Sequence, residues 1–409
     1  MSIEIVLLFA LLATIGYSLI AGRLNQTIVT LPIVFTGLGY LVVGPVEQFA
    51  ETETLHGIAR TIAELTLILV LFADASHVRF SRLIESYRIP VRMLTIGLPL
   101  TILVGTIVLT ILHPHQSWAF ALLTAAILTP TDAALGQAVV SSPEVPSRLS
   151  ESINVESGLN DGLVLPFILL AALLAETASV SNAREGGIAI LALKQLVIGP
   201  LVGVFLGWVI AKAMDYAQDK QAVPTSSQGV VFLCAAFAAF LLSEEIGGNG
   251  IISAYVAGAV FGNVYKHDIT FIGDFMESQG QLLTMTAFFI FGAVLLPDGI
   301  AHINWIPVIA GLLFLTVIRI VPIYISLIGT GLPLKEKLFL GWFGPRGLAS
   351  VLFSLIIIDE YEIPHENELL ACVVMTVFLS IILHGITANP LARRIAGINA
   401  SSIRNNEDN

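Results

Sequence analysis

Thr129-Pro130-Thr131-Asp132 and Asn154-Val155-Glu156-Ser157-Gly158-Leu159-Asn160-Asp161-Gly162 bound the stretch whose reading decides the fold. Both ends lie inside apolar segments long enough to cross a bilayer, for which about 20 residues suffice. A carboxylate in mid-membrane costs roughly 3 kcal/mol on insertion scales. Asp132, Glu156 and Asp161 crowd into this one stretch, which points to something positive bound among them.

The flanks are equally apolar. Of 409 residues, 56% are hydrophobic and 12% charged, and mean hydropathy is +0.88. Soluble chains carry about 25% charged residues. The chain therefore reads as an all-α polytopic membrane protein. Its net charge of -11 comes from acids gathered in loops on one side, and no nucleic-acid partner is expected. Cys234 and Cys372 lie in apolar runs and read as small core residues without a disulfide. No cleavable signal peptide is expected, because no basic flank precedes the first apolar run. The tail after Arg394 is short and polar, and no appended regulatory domain is expected.

Apolar windows predict about thirteen spanning helices, with cores near 4–21, 27–46, 57–75, 90–112, 117–139, 149–176, 188–214, 228–245, 250–264, 277–296, 304–328, 338–358 and 367–391. With the N-terminus outside, fourteen of the nineteen Lys and Arg residues fall inside, from Arg23 to Arg404, and only Arg60, Arg184 and Lys194 fall outside. The positive-inside rule then sets the N-terminus outside and the C-terminus in the cytoplasm of a cell membrane. The outer acids, among them Glu244, Glu245 and Glu366, read as solvated loop charges.

Two helices are interrupted. The fifth carries Pro130, and the twelfth carries Gly344-Pro345-Arg346-Gly347. Proline removes a backbone donor and clashes with the preceding turn. The two helices are seven apart, so they cross in opposite directions. Six-helix inverted repeats, with the seventh helix as connector, would place two broken helices so, and such pairs mark transporter sites.

At 100° per residue, Asn160, Ser157 and Asp161 follow Glu156 at about 40°, 100° and 140°, all on one face. Asp161 lies about 12 residues into its helix, roughly 18 Å deep, near the midplane. Asp132 follows its break and so faces the positive end of a half-helix, while Arg346 can balance exposed carbonyl ends. Arg319 in the eleventh helix can pair with Glu156. Asp161 is then left without a protein cation. Burial penalises the charged form of an unpaired carboxylate, so a proton or a metal cation neutralises it, but hardly both. Such competition is the minimum chemistry of an exchanger.

At Glu156-Ser157-Gly158-Leu159-Asn160-Asp161-Gly162 and Gly344-Pro345-Arg346-Gly347 the chain resembles the NhaP-type sodium/proton antiporters, the electroneutral branch of the cation/proton antiporter superfamily. The resemblance spans the whole apolar region. It implies electroneutral exchange of Na+ or Li+ for H+, with K+ as the alternative cation, and no enzyme activity or cofactor. It makes Asp161 the carboxylate that binds cation or proton, with Ser157, Glu156, Asp132 and the backbone of Thr131 completing the site. Na+ would lie among Asp161, Ser157, Asp132 and Thr131. Glu156 would pair with Arg319, and Asn160 would support the helix crossing. The family fold implies a homodimer, with a dimerisation domain mainly of 1–75 and 188–300, a core domain mainly of 90–176 and 304–391, and a cytoplasmic tail at 392–409. Where relatives read Thr-Asp-Pro at the fifth-helix break, this chain places its proline first, as Pro130-Thr131-Asp132.

Other polar groups read as bland. Glu64 and Asp74 in the third helix could line a funnel, but a packing or interfacial role is the simpler expectation. His113 and His115 flank Pro114 in a solvated loop, and His384 reads as a satisfied core residue. No Ser/His/Asp set, phosphate-binding glycine loop or zinc spacing appears. A cation channel or sensor would need a repeated filter, and an intramembrane aspartyl hydrolase would need two carboxylates sharing a proton.

Overall fold

The computed structural model describes residues 3–24, 27, 29–44, 52–78, 88–132, 135–136, 139, 145–179, 185–267, 270–301 and 304–407, and all regular structure among them is helical. Eight helices are long and apolar enough to cross a membrane, so the chain is a multi-pass membrane protein. They lie within α1 (Ile3–Leu24), α4 (Arg88–Leu112), α6 (Ser147–Ser179), α7 (Glu185–Asp219), α8 (Thr225–Glu245), α10 (270–301), α11 (Trp305–Ser326) and α14 (Glu366–Glu407). Shorter apolar helices are α2 (Leu31–Leu41), α5 (Trp118–Ile127), α9 (Gly250–Val264) and α13 (Leu348–Glu360). The remaining two are α3 (Thr52–His77), which carries Arg60, Glu64 and Asp74, and α12 (Leu334–Trp342).

The short helices have local causes. Helix α5 ends at Ile127, just ahead of Pro130, whose ring and missing donor forbid a further regular turn. Helices α12 and α13 are the halves of one helix opened by Gly344, Pro345 and Gly347. Helix α9 starts late because the chain first turns at Gly247 (φ +79°), after which the Asn249 side chain caps the Ile252 N–H. Helices α4 and α10 each contain one wider turn, at Met93–Gly97 and Phe291–Leu295. Each lies just before a proline, Pro99 or Pro297, whose ring crowds the carbonyl four residues back.

Helices of the α3, α7, α8 and α9 group pack backbone to backbone. A Cβ at Gly203 of α7 would lie 2.5 Å from the Ser253 carbonyl of α9. Gly207 stands likewise against Ala257, and Gly258 and Gly262 of α9 stand against Phe72 and Ser76 of α3. Small residues give this close approach where lipid supplies no hydrophobic drive. A larger apolar core joins α4, α5, α6, α13 and α14 through Ile102, Leu123, Ala126, Ile168, Leu352 and Val373. The candidate site lies where α6, within this second group, meets α11 and the two helix breaks, with α3 and α9 packed beside it.

Two sequence readings are corrected. Cys234 is exposed on α8 rather than in the core, while Cys372 is buried, and both are free thiols. Cys234 sits on the outward side of its helix, away from the α9 contact that buries Ala235, Ala236 and Ala239. His113 is buried instead of solvated, because the α4–α5 connector folds back onto the start of α14. His115 stays exposed.

Candidate functional site

Leu128 closes α5, and Thr129 to Asp132 run without helical structure. The opposing segment, 343–347, is likewise open between Trp342 and Leu348. Each segment supplies what the other lacks. The Asp132 N–H donates to the Pro345 carbonyl at 2.8 Å. Asp132 Oδ2 accepts from the Leu348 N–H at 2.9 Å, at the start of α13, and Oδ1 lies 3.4 Å from the Leu135 N–H. The carboxylate thus caps the opposing helix as well as its own turn, and an anion is favoured there. Arg346, fully buried, donates from one terminal nitrogen to the Pro130 carbonyl at 3.1 Å. Gly347 permits the crossing, since a Cβ there would overlap Asp132 Oδ2.

Helix α6 delivers the remaining predicted groups. Glu156 takes a two-pronged ion pair from Arg319, 2.5 Å from one terminal nitrogen to Oε1 and 2.6 Å from the other to Oε2. Both partners are buried. Arg319 reaches Glu156 from just beyond a kink at Thr316, where ψ turns to -97° and Pro322 lies within the next two turns. Asn160 donates to the Thr131 hydroxyl at 2.6 Å, and that hydroxyl also bonds the Ser157 hydroxyl at 3.0 Å. Asn160 is therefore the strut between α6 and the fifth-helix break.

Asp161 differs from its neighbours. It is buried to 8% exposure, and its Oδ1 has no hydrogen-bond partner among the described residues. The charges that act on it most are negative, Asp132 and Asp74. All eight predicted residues, Thr131, Asp132, Glu156, Ser157, Asn160, Asp161, Arg319 and Arg346, therefore converge on the crossing of α6, α11 and the two breaks.

Two residues join them: Asp74, which sequence reasoning undervalued, and Tyr255, which it missed. Asp74 of α3 packs against Gly158, whose Cβ position would lie 3.6 Å from the Asp74 Cβ. Its packing role and its place beside the site are one and the same, while Glu64 lies nearly three turns away along α3. The signal was there, an acid near the apolar end of a helix, but the facing glycine could not be foreseen. Tyr255 of α9 lays its ring on Gly162 and donates to the Leu159 carbonyl at 3.3 Å. Among the described residues no cluster of His, Cys, Asp and Glu is arranged to hold a resident metal ion.

Known proteins bear on this geometry. Residues 7–394 match the family described as "Sodium/hydrogen exchanger, transmembrane". The K(+)/H(+) antiporter NhaP of Alkalimonas amylolytica is 25% identical over 394 residues, covering 93% of this chain and 65% of its own. The chain thus spans just under two thirds of that relative's length. The Na(+)/H(+) antiporter NhaG of Bacillus atrophaeus is 26% identical over 412 residues, covering 98% of this chain and 76% of its own. The solved sodium proton antiporter MjNhaP1 from Methanocaldococcus jannaschii superimposes with a TM-score of 0.78 at 20% identity, over 97% of this chain and 100% of that one, and so has the same fold. With a family match across nearly its whole length, the chain belongs to the transmembrane sodium/hydrogen exchangers, a family of transporters and not of enzymes.

Proposed function

We propose that the chain exchanges Na+ or Li+ for H+ by alternating access, with cation and proton competing for Asp161. The observation that carries this reading is the unpartnered Asp161 Oδ1 beside carboxylates that are already engaged. Glu156 is neutralised by Arg319, and Asp132 is committed to backbone donors. Asp161 is what remains on α6 for a mobile positive charge, with Asp74 of α3 beside it. Ser157 and Asp132 supply further oxygens. The Thr131 hydroxyl is held by Ser157 and Asn160, so Thr131 offers a cation its backbone. Oxygen ligands of this kind suit a hard cation.

We propose one cation per proton, with no net charge moved and with Asp74 keeping one protonation state through the cycle. The larger assembly follows the same reading: thirteen spanning helices, six-helix inverted repeats, N-terminus outside and C-terminus in the cytoplasm of the cell membrane. The dimerisation domain (mainly 1–75 and 188–300) would hold a second copy side by side in the bilayer, and the core domain (mainly 90–176 and 304–391) would move. The arrangement argues against an aspartyl hydrolase, since both Asp132 oxygens face backbone N–H groups rather than a shared proton.

K+ is the second reading, favoured by the name of the Alkalimonas relative. The deciding experiment is dequenching of a pH dye in proteoliposomes, run with Li+, Na+ and K+. Exchange is expected with Na+ and Li+ under an imposed pH gradient, and none under a membrane potential alone at equal pH. A chain that conducts without a proton gradient, or that moves no cation at all, is not an exchanger.

A further inference from the structure

The unwound segment between α12 and α13 exposes backbone groups that a continuous helix would have paired. Two residues of α14, one turn apart, meet them, and a third, Thr387, holds the Trp342 side chain. Ser380 Oγ accepts from the Arg346 N–H at 2.8 Å. His384 Nε2 lies 2.9 Å from the Trp342 carbonyl, the last of α12. Thr387 Oγ1 accepts from the Trp342 indole N–H at 3.0 Å. A carbonyl can only accept, so Nε2 carries the imidazole proton and Nδ1 is the acceptor. Nδ1 lies 3.2 Å from both Ser380 Oγ and the Ser380 carbonyl, and of the two only the hydroxyl can donate a proton to it. The bonds thus run one way, from the Arg346 N–H into Ser380, from Ser380 into His384, and from His384 back to Trp342. The His384 ring also lies 5.2 Å from the Trp342 ring, tilted by 32°.

We infer that Ser380 and His384 are positioning residues for the exchange site, clamping the two ends of the 343–347 break so that Pro345, Arg346 and Leu348 meet Pro130 and Asp132. The segment they hold bears the hydrogen bonds that join the two breaks: Pro345 to Asp132, Arg346 to Pro130, and Leu348 to Asp132. The partners of both side chains lie on the break and on α14 itself, so their effect on Asp161 passes through the clamped backbone. The inference rests on the proposed exchange at Asp161.

The test uses full-length protein in proteoliposomes, with Ser380→Ala, Ser380→Thr and His384→Gln. Apparent cation KM, maximal rate and melting temperature with and without Li+ are measured for each. Losing the two buried hydrogen bonds of the Ser380 hydroxyl is expected to raise KM about tenfold in Ser380→Ala, with maximal rate changed less than about threefold. Threonine keeps the hydroxyl, so Ser380→Thr is expected to return KM most of the way to wild type. His384→Gln retains a donor for the Trp342 carbonyl but loses the Nδ1 acceptor, and is expected to fall between them. The melting shift produced by Li+ should shrink in the order of the KM changes. Should Ser380→Ala fail to fold, His384→Gln carries the test alone. Wild-type KM and a wild-type Li+ shift in the folded variants, even with a lowered melting temperature, would overturn the inference, since these side chains would then only stabilise α14. Absence of exchange in the wild-type protein would instead strike the proposed function, and the Li+ shifts would still report on the clamp.

Discussion

Glu156 and Asp161 sit five residues apart on α6, belong to the same chemical class and are both buried. One holds a guanidinium with both oxygens, while the other keeps an oxygen without a partner among the described residues. Burial alone therefore does not decide whether a carboxylate is open to a cation. Partnering does. A paired acid in a membrane is part of the scaffold, because its charge is already answered. An unanswered acid is an opening for a mobile cation, at a standing cost in desolvation.

Asp161→Asn puts the larger side of this difference to the test. Exchange is expected to disappear, while the melting temperature stays level or rises, since neutralising an unpaired buried charge relieves its desolvation. Dye dequenching and thermal melting read the two halves. Residual cation-dependent exchange in this variant would take Asp161 out of the binding role.

Arg319→Ala attacks the other side. Leaving Glu156 buried and unpaired should cost roughly 3–5 kcal/mol, so the variant is expected to express poorly or melt early. The double variant Glu156→Gln with Arg319→Gln should recover part of that loss. Equal damage from the single and double changes would mean that the pair contributes nothing as a pair.

Asp132 stands between the two cases, anchored to backbone donors instead of a cation. Gly347→Ala would push against its Oδ2. An overpacked contact of this kind costs about 1–3 kcal/mol, and apparent cation affinity is the quantity expected to suffer. Asp74→Asn is milder. Removing a neighbouring negative charge is expected to weaken cation affinity by about threefold to tenfold. Potential-driven uptake should stay absent in both wild type and variant. A current that appears or vanishes with this change would show that Asp74 titrates during the cycle.

The smallest effect concerns an acid in a mixed setting. Glu368, half-exposed at the start of α14, lies 3.5 Å from His113 Nδ1 and accepts from Gln116 at 2.9 Å. Burial pushes the His113 pKa below its ordinary value, and Glu368 opposes that shift only in part. The unfolded chain therefore binds this proton more readily. The stability that neutral His113 contributes is present above about pH 6.5 and is lost as pH falls towards the folded value. Between pH 7 and 5 the wild type is expected to lose about 1–2 °C more in melting temperature than His113→Asn. A parallel decline in both would show that His113 plays no part in acid sensitivity.

Much of this arrangement is legible in the residues alone. Apolar length, the prolines and glycines at 130 and 344–347, and the carboxylate spacing on α6 are local, and local pattern suffices to place the breaks and the site groups. The Glu156–Arg319 pair could be anticipated because each is a charge in an apolar span with few candidate partners. What stayed hidden depends on long-range packing. Asp74 meets α6 only because Gly158 faces it. His113 becomes buried only because Glu368 and Cys372, more than 250 residues later, come to lie against it. His384 was expected to be satisfied, and it is, but its partners lie across a helix break that no periodicity encodes.

The distance along the chain between the site's partners bears on how the protein is made. Arg346 and Pro130 are 216 residues apart, and Arg319 and Glu156 are 163 apart. During synthesis α6 therefore enters the membrane long before either guanidinium has left the ribosome. Until then the Glu156 charge has no counterpart from α11, and neither break has its opposite. A chain halted before α11 holds Glu156 and Asp161 in the membrane with neither guanidinium nearby, at the cost of charges left unmet in the bilayer. Pairing of Glu156 and closure of the crossing thus depend on the same late event, the synthesis of α11 to α13.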